Sequence, residues 1–193
     1  MAMYLIKNIP VLPFKRFVLP EEKITIALRA DAHKDLIEQC LKYNKEFGLP
    51  FFFNGKFNVY GCTVEILKVY RNESKGFMRV TLLGKQLFRM TQYNKFDSTS
   101  SCPSAMVKWI SHMDHPVQDA EIIELFEKYC NAVALMDYDK LSLLNLMQEL
   151  HLGPETSFSI ISKHNREERE ALIKKILKYK VLLRKQRKSY IFN

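Results

Sequence analysis

Glycine is scarce and scattered in this chain, six residues in 193, at positions 48, 55, 61, 76, 84 and 153. That spacing excludes a P-loop, whose backbone amides must cradle phosphates from one short glycine-rich run, and it excludes the GxGxxG dinucleotide turn. No HExxH helix occurs either. Cysteine is equally sparse. Cys40, Cys62, Cys102 and Cys130 stand singly, with no CxxC pair to suggest zinc or a redox dithiol, so they read as buried free thiols. His112 and His115 lie near one another without a further ligand cluster, so no metal and no cofactor is expected. No apolar run approaches the roughly 20 residues that span a bilayer. Met1 to Lys7 lacks a charged segment ahead of a long apolar core, so no secretory leader and a cytoplasmic location are expected, with no membrane partner.

What is present suits a folded domain. The chain is 47% hydrophobic and 26% charged, with enough apolar mass for a sizeable core. Its net charge of +9 permits attraction to nucleic acid, anionic surfaces or acidic partners without choosing among them. The character of the chain changes near Asp114-His115-Pro116. Before it, short apolar stretches alternate with turn residues; after it, helical periodicity dominates. The reading is therefore α+β, with a β-rich domain over residues 1–116 and a helical subdomain over 117–193.

In the first part, Ile24 to Arg29 reads as a strand, and Ala32 to Asn44 as a helix burying Leu36, Ile37, Cys40 and Leu41. Phe51 to Val59 reads as a hairpin about Asn54-Gly55, a pair that tolerates the positive φ of a type I′ turn. Thr63–Tyr70 and Phe77–Leu83 form a second hairpin. Gly84 is expected to break the strand or form a bulge, changing the face of Gln86, Phe88 and Met90. Ala105 to Ile110 is the closing strand, preceded by a polar, exposed loop over residues 96–104. In the second part, Asp119 caps a helix reaching about Met136, with Ile122, Ile123, Phe126, Tyr129, Cys130 and Val133 inward. Asp139 caps another that carries Leu143, Leu144, Leu146, Met147 and Leu150. Gly153-Pro154 starts a third. Asn165 with Glu168 forms a capping-box pair for the fourth, whose inner face is Leu172, Ile173, Ile176, Leu177 and Val181.

A series of segments carries a family likeness: Ile9-Pro10-Val11-Leu12-Pro13, Val18-Leu19-Pro20, Phe47-Gly48-Leu49-Pro50-Phe51, Tyr60 to Ile66, and Arg79 to Met90. Together they resemble the N-terminal, substrate-binding LON domain of the Lon protease family, a PUA-like fold. The likeness covers about Ile9 to Ile110, and more weakly Leu141 to Met147 and the helix after Asn165. It departs at Leu19-Pro20-Glu21-Glu22, where the family has Pro-Gly, and at Ala30-Asp31, where it has Glu-Pro. The resemblance implies a β pseudo-barrel of mixed strands with one helix, backed by a C-terminal helical subdomain. It also implies a stand-alone bacterial domain that binds protein substrates without the ATPase and peptidase parts of full-length Lon. Cys102-Pro103-Ser104-Ala105 is similar to the Gly-Pro-Ser-Ala segment of the Lon catalytic serine. Cysteine replaces its glycine, however, and no lysine is singled out to deprotonate Ser104, so no catalytic residue and no enzyme activity is expected.

The chemistry left is recognition. Phe17, Phe53, Phe57 and Tyr60 are candidates for peptide binding, since exposed apolar surface can bury unfolded segments. The implied partners are unfolded or partly folded proteins, and protease or chaperone components if the chain is an adaptor. The alternative is RNA binding through Lys174, Lys175 and Lys178 of the basic last helix. A third reading, a minor enzyme, requires a pocket of convergent polar groups.

Overall fold

The computed structural model describes residues 6–53, 55–72, 74, 76–95, 102–111, 113–130 and 141–191, without the side chains of Phe53, Lys56, Phe57 and residues 187–191. The chain divides into two compact units, Met1–Ile110 and Ser111–Asn193.

Alternation of apolar and polar residues builds the first unit. In β2 (Lys23–Leu28), Ile24, Ile26 and Leu28 are buried while Lys23, Thr25 and Ala27 face solvent. Six strands form one sheet in the order β1 (Lys7–Pro10), β6 (Ser104–Trp109), β5 (Phe77–Asn94), β4 (Lys56–Asn72), β3 (Phe47–Phe53), with β2 also on β5. Every ladder is antiparallel. The mixed character enters at the seam, where Val11 bridges Gly48 and Phe14 bridges Phe51 in parallel, joining the two edges of the sheet. Closure of this kind removes most of the exposed edge. Ile9, Val11, Phe88, Met90, Ala105 and Val107 pack as a core cluster on these strands, with Tyr93 and Trp109 against it.

β5 organises the sheet. Its first half pairs β2 and its second half pairs β6 along the same edge, while β4 runs along the other. Gly84 sits at the changeover. The Leu19 carbonyl oxygen lies 2.1 Å from where a Cβ on Gly84 would stand, so only glycine admits this approach. The strand continues through Gly84 instead of breaking. The bulge comes just after it, where Lys85 and Gln86 together face Thr63 between the pairs Val64–Gly84 and Cys62–Leu87. Gln86 is exposed in the bulge, whereas Phe88 and Met90 beyond it are buried, so the three do not change face as a set. The buried Thr63 hydroxyl accepts the Gln86 N–H at 3.2 Å.

Gly55 takes φ +74° between β3 and β4, while Asn54 of the expected turn lies outside the described residues; Asn72 pairs Phe77 across the second hairpin. Helix α1 (Asp31–Lys42) buries Leu36, Ile37 and Cys40. Leu41, expected inward, is 39% exposed: the buried stripe of this short helix is narrower than the apolar one in its sequence. Of the expected polar loop, residues 96–101 lie outside the described residues, and Cys102 at its end is buried.

The second unit is helical. Asp119 accepts the Glu121 N–H at 2.9 Å ahead of α2 (Ala120–Cys130), which buries Ile122 and Phe126, while Ile123, Tyr129 and Cys130 are half-buried. The expected extension to Met136, with Val133, and the expected cap Asp139 lie outside the described residues. The N-cap of α3 (Leu143–Glu149) is Ser142, in a capping box with Asn145, and not Asp139. Gly153 and Pro154 open α4 (Pro154–Ile161) as expected. Asn165 accepts the Glu168 N–H at 2.8 Å and donates to the Glu168 carboxylate at 3.1 Å, opening α5 (Arg166–Ile191). Ile173, Leu177 and Val181 are the buried stripe of α5; Leu172 and Ile176, expected with them, are half-buried.

Candidate binding site

The seam of the first unit opens into a cleft. Helix α1 ends through Asn44 in the left-handed conformation, φ 47°, and the Lys45 N–H closes back on the Cys40 carbonyl at 2.9 Å. The chain then enters β3 and meets Val11. Upstream of that bridge the two segments part. Lys7–Pro10 forms one wall and Asn44–Glu46 the other, with Ser104 between them, around a space of about 560 Å³.

Strand phase decides what β1 shows to this space. The Val11 N–H donates to the Pro103 carbonyl at 2.9 Å, which makes them a hydrogen-bonded pair. Ile9–Ala105 and Lys7–Val107 follow two and four residues back in the same register. Asn8 therefore sits at a non-bonded position, and its peptide N–H and C=O point away from β6. Pro10 has no N–H to offer, so Asn8 is the donor of this edge. Ser104 is 7% exposed, and its hydroxyl has no hydrogen-bond partner among the described residues. Lys45 and Lys42 lie 5.3 and 5.4 Å from the ring centroid of Tyr43, which is 58% exposed beside the Asn44 wall.

The residues singled out from sequence fall elsewhere. Phe17 is 2% exposed, edge-on to Phe51 with centroids 5.8 Å apart. It belongs to the core, because Phe17 to Leu19 is buried as a run. Tyr60 is half-buried on β4 opposite Arg89. Phe53 and Phe57 lie in the β3–β4 hairpin, paired with Lys56 and Phe52, and their side chains are outside the described set. Of the four, Phe17 is thus removed from any exposed surface. The signals for the actual cleft were weaker in kind: an Asn ending a helix, and a Pro that cannot pair at a strand edge.

Two of the three lysines singled out on the basic helix are in ion pairs. Lys174 is paired with Asp119 and, at 3.1 Å, with Glu121, while Lys178 is 2.6 Å from Glu121. The hydrogen bond from Lys174 lowers the Asp119 pKa, and those from Lys178 and then Lys174 lower that of Glu121. The same contacts, with Asp119 first, raise the pKa of Lys174. Lys175 and Lys178 are both exposed, and of the three only Lys175 is in no ion pair among the described residues. This pairing leaves the RNA reading without support.

Burial pushes the Cys40 thiol up to about 11 and the Cys62 thiol up to about 12, so both are poor nucleophiles near neutral pH. Among the described residues no three His, Cys, Asp or Glu side chains are grouped to hold a metal ion, and no helix is long and apolar enough to cross a membrane. His112 of the pair weighed for a metal lies outside the described residues.

No family model and no curated protein matches the chain. Solved structures do. A Lon N-terminal domain protein from Xanthomonas campestris aligns at TM-score 0.63 and 19% identity, over 82% of this chain and 91% of its own. The N-terminal domain of a Mycobacterium avium complex Lon protease aligns at TM-score 0.53 and 16% identity, over 92% and 95%. The chain has the α+β fold of Lon N-terminal domain proteins, over nearly their whole length.

Proposed function

We propose that this chain is a non-catalytic module that binds exposed or unfolded segments of other proteins. The observation that carries the reading is the open cleft at the seam, where the peptide group of Asn8, turned away from β6, can receive an extended chain by strand addition. Main-chain pairing suits unfolded clients because it reads no particular side chain. The shared fold supports the same reading through the substrate-binding role that the Lon resemblance implies. Within it, the chain works in the cytoplasm as an adaptor delivering polypeptide to a protease or chaperone.

The test measures fluorescence anisotropy of a labelled, reduced and permanently unfolded protein against its folded form. The unfolded form is expected to bind and to remain intact over the incubation. Asn8→Pro, which removes the outward N–H at a position where an edge strand tolerates proline, should weaken binding while leaving the circular dichroism spectrum unchanged. Equal retention of both forms, cleavage of the client, or full binding by Asn8→Pro would each refute the proposal.

A further inference from the structure

Helix α5 carries a second apolar stripe that the described residues leave partly uncovered. Leu172 and Ile176 are half-buried beside the docked face; Tyr179 and Leu183 continue the line and are 62% and 37% exposed. The spacing is four, three, four, the repeat of a seam made for another helix. The stripe is narrow, one residue per turn, widened only at its end by Leu182, which is 58% exposed; it fits between the side chains of a facing helix better than it would spread on a bilayer, which takes a broad apolar face.

Charge selects the kind of helix. From Ala171 to Gln186 the sequence has no acidic residue and six basic ones. Lys175 flanks the stripe on one side, exposed; Lys180 flanks it on the other, lying against the Tyr129 ring at 5.9 Å. A second copy of α5 would bring these lysines against their own kind in either orientation. The chain already shows which chemistry α5 accepts. On its other face it receives α2, an amphipathic helix bearing Glu121, Glu124 and Glu127, clamped through Lys174 and Lys178.

We propose that the Leu172–Leu183 stripe of α5 docks an acidic amphipathic helix of a partner protein, in the manner of α2 but on the opposite side. This surface belongs to the second unit and the seam cleft to the first, so the module has one site for a client and another for the protein to which that client is delivered. The two can fail independently.

The experiment uses the full chain and two synthetic helices of about three heptads, each with Leu along its seam, one with Glu and the other with Lys at the flanking positions. Binding is followed by fluorescence anisotropy. The Glu peptide is expected to bind and to weaken as salt is raised, and the Lys peptide to stay free. The double variant Tyr179→Ala/Leu183→Ala should reduce affinity on the order of tenfold or more by removing two apolar anchors. Both positions are solvent-facing, so circular dichroism should be unchanged. Lys175→Glu should weaken the Glu peptide and begin to admit the Lys peptide. Binding of both peptides alike, binding of neither, or an unaffected double variant overturns the proposal. Self-association abolished by the double variant, or sedimentation with phosphatidylserine vesicles in place of peptide binding, overturns it equally.

Discussion

At the scale of single residues, Gly84 decides whether the first unit can close. The chain from Leu19 to Glu22 crosses β5 there, with the Glu21 N–H on the Gly84 carbonyl and the Gly84 N–H on the Glu22 carbonyl, both at 2.9 Å. A methyl group at Gly84 would meet backbone, the Leu19 carbonyl, and not the yielding end of a side chain. Gly84→Ala is expected to cost about 1–3 kcal/mol, toward the upper end because two strands must separate to relieve the clash. Gly153→Ala is the matched control. A Cβ there meets nothing within 4 Å, so only the weaker helix cap is felt, within about 1 kcal/mol. Urea midpoints for the two variants measure the difference. Equal midpoints would mean that the crossing at Gly84 yields freely. Phe17 makes the same point about surroundings. As a residue type it suits a binding surface, yet its burial beside Phe51 makes it a structural ring.

At the scale of elements, the pairing of α2 with α5 rests on an apolar stripe and an ionic clamp. Asp119 and Glu121 have lowered pKa values, so their contribution is complete above the ordinary carboxylate value of about 4 and is lost as pH falls through the folded values. Lys174 is raised, so its contribution is complete below the ordinary lysine value of about 10.4 and is lost as pH climbs through its folded value. The urea midpoint of the second unit should therefore be flat through neutrality and fall at both extremes. Lys174→Ala should flatten part of the acid limb; an acid limb unchanged in that variant would assign it to other carboxylates. The groups are solvated, so salt should shrink the effect.

Elements were legible in the sequence where the signal is local. The Asn165–Glu168 box, the Gly153-Pro154 start, the positive φ of Gly55 and the β2 alternation each depend on a few neighbouring residues. The cap of α3 is Ser142, whose hydroxyl accepts the Asn145 N–H while the Asn145 side chain answers the Ser142 N–H, a reciprocal pair the sequence reading passed over. The other errors depend on what packs from afar. Leu41, Leu172 and Ile176 have the periodicity of core residues, but the neighbouring elements cover only part of each helix. The seam cleft was not legible. Asn8 and Ser104 are ordinary residues, made notable by the phase of β1 on β6 and by the point at which Val11 meets Gly48.

At the scale of the whole chain, two compact units meet at Ile110–Ser111, and each carries its own apolar interior. The first has the cluster about Phe88 and Val107; the second has Ile122, Phe126, Ile173 and Leu177 fully enclosed. Separate cores of this kind melt separately unless strong coupling joins them. Calorimetry of the full chain should therefore resolve two transitions. Gly84→Ala should lower one of them. Ile173→Ala should lower the other by about 2–5 kcal/mol of unit stability, the range for emptying a buried isoleucine site. This separation would allow a client at the seam and a partner on α5 to bind without competing for one cooperative structure. If both variants instead displace one common transition, the chain folds as a single cooperative body. Occupancy of either surface would then raise the stability of the other, and the two binding sites could no longer be treated as independent.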